Sequence, residues 1–318
     1  MTYVLLLIGF VLLIKGADFF VDGSSNIARL LRVPPILIGL TIVAFGTSSP
    51  EATVSIIAAL EGTAGVAVGN VVGSNIFNIT LVVGVAAILY PLKVESENVK
   101  KEIPFTLLAS IALFIVMSDV ALQGFGSNMI TRADGFIFLL FLSIFLYYVI
   151  EHGLKSRKET MNEPAAAVSG SWGKNILITL LGLAAIIFGG DLVVDNGTAI
   201  AYSLGMSETL VGLTIIAIGT SLPELVTSIT AALKKESEIA LGNIIGSNIF
   251  NILFVLGVSS AISPLAVDGK VLIDVVFMIA LTLVLLVFAR TGYRIGKREG
   301  WVLAAFYVIY LVYIIVRN

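Results

Sequence analysis

The sequence predicts an all-α polytopic membrane protein of ten transmembrane helices, arranged as two five-helix repeats of inverted topology. Three observations lead there. Hydrophobic residues fill 58% of the 318 positions and charged residues only 13%, with a mean hydropathy of +1.05; soluble domains are nearer half apolar and a quarter charged. The chain divides into ten apolar runs, and about 20 apolar residues suffice for a helix to span a bilayer. A long stretch also occurs twice. GLTIVAFGTSSPE at 39–51 returns as GLTIIAIGTSLPE at 212–224, and GNVVGSNIFNI at 69–79 as GNIIGSNIFNI at 242–252, always 173 residues later.

The runs cover residues 3–28, 35–60, 64–91, 103–122, 133–150, 174–204, 208–233, 238–264, 271–289 and 300–316. Their length and continuity exclude a β-barrel, which needs short alternating strands. The opening MTYVLLLIGF lacks a basic flank and a small-residue cleavage site, so it reads as the first membrane helix and not as a signal. The absence of cysteine excludes disulfides and thiolate metal sites.

The first run carries Lys15, Asp18 and Asp22 at helical spacing, and the aspartates recur as Asp191 and Asp195. Pairing of Lys15 with Asp18 near the membrane surface is the expectation, with a structural role for the repeated aspartates. The second run starts at Pro34-Pro35, where proline suits a first helical turn. Pro50 falls deep inside it, where the ring conflicts with the Gly46 carbonyl and frees backbone oxygens. Glu51 follows, with Thr47 and Ser48 one turn back on the same face. In the third run, Gly69, Gly73 and Ser74 form a small-residue face for close packing. Ser74 and Asn78 share a stripe, while for Asn70 and Asn75 interhelical hydrogen bonds stand beside ion contact as the two readings. The fourth and fifth runs are plain spans. Residues 152–173 are a hydrophilic linker on which His152, the single histidine, is a solvated loop residue. The repeats are therefore 1–151, with its duplicated block at 39–79, and 174–318, with its block at 212–252. The second repeats the plan with Pro223, Glu224, Ser247 and Asn251, and its offset drops to 165 at RADG (Arg132) and KREG (Lys297).

With ten spans, one set of connections holds fifteen lysines and arginines and the other only three. The basic side is cytoplasmic, which places both termini outside the cytoplasmic membrane. Five helices per copy is an odd number, so the copies insert upside-down relative to each other, as in secondary transporters whose sites lie where broken helices meet.

A carboxylate at the middle of a membrane helix costs roughly 2.5–3.5 kcal/mol even on the lenient scale. Glu51 and Glu224 both stand there, and no basic residue repeats beside them, since Lys15 aligns with Phe188. A bound cation would neutralise them. The flanking groups are oxygen donors: Thr47, Ser48, Ser74 and Asn78, matched by Thr220, Ser221, Ser247 and Asn251. Without histidine or cysteine, such a set argues against zinc and copper; two carboxylates among mixed oxygens suit Ca²⁺, while hydroxyls and carbonyls suit alkali ions.

The doubled G-T-S-x-P-E and G-N-x-x-G-S-N-x-x-N motifs resemble the two alpha repeats of the cation/Ca²⁺ exchanger superfamily, and most nearly its prokaryotic sodium/calcium exchanger branch. The resemblance covers nearly the whole chain. It implies an ion-binding core of the second, third, seventh and eighth helices, with the first and sixth as long tilted elements that slide. It also implies that Glu51 and Glu224, with the Thr47 and Thr220 carbonyls, hold Ca²⁺. The Ala44 and Ala217 carbonyls with Ser48, Ser221, Ser74 and Ser247 would complete flanking Na⁺ sites, and Asn78 and Asn251 would line the centre. Some members carry aspartate where this chain has Asn251, which leaves the coupling ion open.

The expected activity is exchange of Ca²⁺ for Na⁺, with exchange of Ca²⁺ for H⁺ or another monovalent cation as the rival. A channel is disfavoured by the inverted repeats, and an enzyme by the lack of any nucleophile-and-base arrangement. No cofactor, nucleic acid or obligate protein partner is expected; the partners are Ca²⁺, Na⁺ and the bilayer.

Overall fold

A computed structural model describes residues 1–96, 100–160, 171–205 and 217–317. Among these, seven helices are long and apolar enough to cross a membrane, one further pair forms a bent span, and two apolar helices are shorter. In chain order they are α1 (Thr2–Leu31), α2a (Pro35–Thr47) and α2b (Ser49–Leu60), α3 (Ala64–Leu89), α4 (Glu102–Val116), α5 (Arg132–Thr160), α6 (Trp172–Ser203), α7 (Leu222–Leu233), α8 (Ser237–Ile262), α9 (Gly269–Arg290) and α10 (Lys297–Arg317). The part of the second motif at 212–216 and the linker residues 161–170 lie outside the described residues.

Helices α3 and α8 are the centre of the fold. Burial takes in 78% and 89% of their apolar windows, against 22–33% in the other five long helices. The remaining helices present apolar side chains outward, as a lipid-facing shell must.

Helix α1 packs along α6 through glycines. A Cβ on Gly9 would stand 2.9 Å from the Gly189 carbonyl, and one on Gly16 2.9 Å from that of Gly182. Ascending numbers on α1 meet descending numbers on α6, so the two run antiparallel, with backbones closer than any larger residue allows.

The helix expected over 35–60 is broken. Ser48 (φ −81°, ψ 8°) leaves the helical region, and the two halves bend by 50°. The conflict anticipated between Pro50 and the Gly46 carbonyl is thereby removed, because Pro50 enters the first turn of α2b, where no donor is required. Ser221 (φ −93°, ψ 7°) repeats the break, with Pro223 in the first turn of α7. Helices α3 and α8 each widen into a π-helical turn, from Asn78 to Val82 and from Asn251 to Leu256.

Other boundaries differ from the hydropathy reading. The fourth span ends at Val116, and a separate short helix, Asp119–Gln123, follows. Asp119 draws the chain aside by accepting from the Met129 N–H and the Gln123 amide. Helix α5 continues to Thr160, ten residues past the expected end at 150, because the polar extension is rich in good helix formers. His152 is consequently helical, stacked on Tyr148 with ring centroids 6.0 Å apart, and not a loop residue.

Two antiparallel ribbons tie the halves together. β1 (Leu92–Lys93) pairs with β4 (Arg294–Ile295), and β2 (Asn128–Ile130) pairs with β3 (Leu265–Val267). The strand after α3 thus meets the strand before α10, and the strand after α8 meets the strand before α5. The exchange is reciprocal.

Candidate cation site

The breaks at Ser48 and Ser221 place a hydroxyl, a first-turn proline and a carboxylate in sequence on each of two half-helices. Glu51 and Glu224 are fully buried. Each stands in the first turn of its half-helix, where the positive end of the helix dipole favours negative charge.

The hydrogen bonds around them cross between the copies. Ser48 Oγ donates to Glu224 Oε1 at 2.8 Å, and Ser221 Oγ donates to Glu51 Oε1 at 2.8 Å. Ser221 Oγ also lies 3.0 Å from Ser74 Oγ, which approaches Glu51 Oε1 at 3.4 Å. Glu51, Ser74 and Ser221 are joined in one cluster, and Glu224 is reached by Ser48 from the opposite side.

The asparagines of α3 and α8 form a second layer. Asn75 Nδ2 donates to the Asn248 carbonyl at 3.2 Å, Asn78 Nδ2 to Asn248 Oδ1 at 3.2 Å, and Asn251 Nδ2 to Asn75 Oδ1 at 3.1 Å. Asn70 and Asn243 work one turn away. Thr47 Oγ1 donates to Asn243 Oδ1 at 3.0 Å, and Thr220 Oγ1 to Asn70 Oδ1 at 3.4 Å. Their amide groups then donate to Ser55 and Ser228, at 3.0 and 2.9 Å. The interhelical bonding expected of Asn70 and Asn75 is what the structure shows. The shares of Asn243, Asn248, Ser55 and Ser228 were missed, although the offset of 173 that pairs Asn70 with Asn243 and Ser55 with Ser228 was available as a signal.

What remains after these bonds is a set of acceptors. Glu51 Oε2, Glu224 Oε2, Asn78 Oδ1 and Asn251 Oδ1 are buried without a hydrogen-bond partner, as is Ser247 Oγ. Unpaired buried acceptors are costly, and ionised ones more so. Asn75, Asn78 and Asn251 turn their NH₂ groups to protein acceptors, which leaves the amide oxygens of Asn78 and Asn251 over. This is the donor set of a hard cation, with carboxylate, amide and hydroxyl oxygens and no nitrogen or sulfur. Among the described residues no group of three or more histidine, cysteine, aspartate or glutamate side chains gathers, so the negative charge rests on the two glutamates.

The other expected ligands are placed less directly. The Ala44 carbonyl accepts from the Ser48 N–H at 3.0 Å and faces the Thr47 hydroxyl at 3.4 Å. The hydroxyls of Thr47 and Thr220 are engaged by asparagine. Ala217 begins the described part of its segment, in the turn Ala217–Gly219.

The sodium/calcium exchanger protein family matches residues 1–151 and 174–316 of the chain. The chain belongs to that family. As a member, this exchanger is 36% identical to the sodium/calcium exchanger MaX1 of Methanosarcina acetivorans over 342 residues, covering 98% of this chain and 97% of that protein. It is 37% identical to the inner membrane protein YrbG of Escherichia coli over 317 residues, covering 96% and 94%. The sodium-calcium exchanger NCX_Mj, in a structure soaked with Na⁺ and Sr²⁺, superposes with a TM-score of 0.84 at 32% identity, covering 98% of this chain and 97% of that one. Exchanger family and fold mark a multi-pass membrane transporter and not an enzyme.

One basic residue outside the motifs ties the second copy to α1. Lys234, just after α7, reaches α1: its Nζ lies 2.8 Å from Asp22 Oδ1 and 3.5 Å from Asp18 Oδ1, and donates to the Asp18 carbonyl at 2.8 Å. Lys15 pairs with Asp18 at 3.6 Å, as expected, but as the outer member of this cluster.

Proposed function

We propose that the chain is a secondary antiporter that exchanges Ca²⁺ for Na⁺ at a single site between Glu51 and Glu224, opened alternately to the two sides of the membrane. The observation that carries this is the pair of buried carboxylates, each held through one oxygen by the other copy's serine and each with its second oxygen unpartnered. Two carboxylates balance one Ca²⁺ or two Na⁺, so the ions compete for the same charge. The naming of MaX1 as a sodium/calcium exchanger supports Na⁺ as the coupling ion.

In this reading the ten apolar segments, α1 to α10 with α2a and α2b as one, each cross the bilayer. The repeats 1–151 and 174–318 insert with opposite orientation, and residues 152–173 link them inside the cell. The reciprocal serine–glutamate bonds and ribbons are what a twofold axis between the copies generates, and the antiparallel course of the equivalent helices α1 and α6 supports an axis lying in the membrane plane. The antiparallel glycine seam packs α1 closely against α6, so in this reading the two helices slide past the core as one unit. The basic asymmetry puts both termini outside.

Purified protein in liposomes should take up Ca²⁺ when a Na⁺ gradient is imposed. Ca²⁺ flux driven by a pH gradient but by no Na⁺ gradient would replace this reading with Ca²⁺/H⁺ exchange. Sidedness is checked in the cysteine-free chain with Thr2→Cys and Lys158→Cys, which should react with an impermeant thiol reagent from opposite faces.

A further inference from the structure

An asparagine amide has two unlike ends, one that only donates and one that only accepts. Which end faces a neighbour is therefore fixed by what that neighbour can do. Between α3 and α8 these choices form a chain that begins at a backbone carbonyl. The carbonyl of Asn248 takes the Asn251 N–H and also accepts from Asn75 Nδ2 at 3.2 Å. A carbonyl has two lone pairs and no proton, so Asn75 turns its NH₂ there and has only oxygen left for its next neighbour. That neighbour is Asn251, whose Nδ2 donates to Asn75 Oδ1 at 3.1 Å. With its NH₂ engaged, Asn251 keeps its own Oδ1 buried and without a hydrogen-bond partner. The reciprocal bond, from Asn78 Nδ2 to Asn248 Oδ1 at 3.2 Å, leaves Asn78 Oδ1 in the same condition.

A tie between α3 and α8 does not by itself explain this outcome. Asn75, Asn78 and Asn251 are fully buried, and an amide oxygen left unpaired at that depth costs free energy. A tie gains nothing from an orphaned acceptor, whereas a hard cation gains an oxygen ligand. Each orphan stands one helical turn from a serine of the candidate site, Asn78 from Ser74 and Asn251 from Ser247. Ser74 in turn approaches Glu51 Oε1 at 3.4 Å. The offset of 173 maps Asn75 onto Asn248 and Asn78 onto Asn251, so both copies carry the device.

We propose that Asn75, with Asn248 in the mirrored role, is a positioning residue for ion binding: it holds the Asn251 amide with oxygen, and not NH₂, toward the cation. The proposal rests on the antiporter reading above and adds what keeps the neutral ligands of that site aimed. Ionised glutamates attract an amide NH₂ through a charge-assisted hydrogen bond. An Asn251 free to turn would offer its NH₂ to a carboxylate and close the ion-free site on itself. Asn75 engages that NH₂ beforehand, so an arriving cation meets an oxygen already oriented.

The test is the half-saturating Ca²⁺ of the purified protein, read by calorimetry in the absence of Na⁺. Asn75→Leu is close to asparagine in size but has no acceptor, so Asn251 must leave its NH₂ unpaired whenever its oxygen faces the ion. Half-saturating Ca²⁺ should rise about tenfold. The same change is then made in Asn251→Asp, whose two oxygens are equivalent, and in Asn251→Ala, which has no amide to turn. In either background Asn75→Leu should shift half-saturation by less than about twofold. A tie acting only through the Asn248 carbonyl would weaken binding by one factor in all three backgrounds, because that bond is lost in each. Asn75→Ala removes the same acceptor without adding bulk and is read in the same way should Asn75→Leu not fold. No rise in the native background, or an equal rise in all three, overturns the proposal and leaves the antiporter reading intact. Absence of Ca²⁺ binding in the wild type, or wild-type binding by both Glu51→Gln and Glu224→Gln, overturns both.

Discussion

Ser48 on the first half-helix break donates to Oε1 of Glu224 at 2.8 Å, and its counterpart Ser221 donates to Oε1 of Glu51 at the same distance. Neither serine bonds the glutamate of its own copy, three residues along the chain. Each copy therefore binds the other's carboxylate, so the proposed site draws on both halves.

This arrangement predicts coupling between residues 176 positions apart. Ser48→Ala removes a charge-assisted bond from a buried carboxylate, a loss of about 1.5–3 kcal/mol, so apparent Ca²⁺ affinity should fall about tenfold or more. In Glu224→Gln the bond is already weakened, and Ser48→Ala should add little. A double-mutant cycle on Ca²⁺ binding, by calorimetry, reads this directly: strict additivity of the two changes would show that the serine acts elsewhere.

Glu51→Gln and Glu224→Gln each remove half of the negative charge while keeping the shape of the side chain. Either change should abolish Ca²⁺ flux in liposomes, a drop of at least about tenfold for each 1.4 kcal/mol of lost ion binding. The fold should survive, since a neutral amide is easier to bury than a carboxylate. Thermal melts of the ion-free proteins should show equal or higher Tm than wild type, and wild-type flux in both variants would remove the glutamates from the site.

The cluster of Lys234 with Asp18 and Asp22 predicts an asymmetry between the two halves. Lys234 aligns with Glu61, so Asp191 and Asp195, the counterparts of Asp18 and Asp22, have no matching basic partner and line a cavity of about 460 Å³ beside Pro223. Lys234→Gln should cost stability, by up to about 1 kcal/mol as for other solvent-accessible ion pairs. Asp191→Asn should cost nothing or stabilise slightly, by relieving repulsion from Asp195 one turn away. Thermal melts in detergent compare the two, and equal losses would mean that the halves are closed by the same contacts.

The repeat made much of this legible before any coordinates. An offset of 173 located both glutamates, both prolines and the serine and asparagine pairs, because duplicated membrane segments keep the residues that must remain polar. The position of the break was one step off: proline marks where a helix cannot continue, but the chain relieves the clash upstream, at Ser48. The extension of α5 to Thr160 escaped because hydropathy senses lipid and not helix, and charged residues continue a helix into water unmarked. Lys234 escaped for another reason. Its partners lie more than 200 residues away and it has no counterpart in the first copy, so neither local spacing nor the repeat points to it. The π-turns at Asn78 and Asn251 carry no composition signal, although both begin at the last asparagine of the repeated motif.

Charge counting at the centre yields the prediction on coupling. Asn78 and Asn251 are neutral, each with a buried, unpartnered amide oxygen. With both glutamates ionised, the site carries two negative charges, which one Ca²⁺ or two Na⁺ balance. A third Na⁺ would leave one positive charge in excess in a region where charge is expensive. An aspartate at position 251 would offset that excess, while leaving the Ca²⁺-loaded site net negative. It would also lose the amide that Asn251 donates to Asn75 at 3.1 Å, so Asn75 Oδ1 would need another donor. Asn251→Asp should therefore change Na⁺ dependence more than it changes the requirement for Glu51 and Glu224. The Hill slope for Na⁺-driven Ca²⁺ flux should shift, and the charge moved per Ca²⁺ should change in recordings from the reconstituted protein. An unaltered slope and unaltered charge per Ca²⁺, in a variant that still transports, would show that position 251 lies outside the set of groups that count the ions.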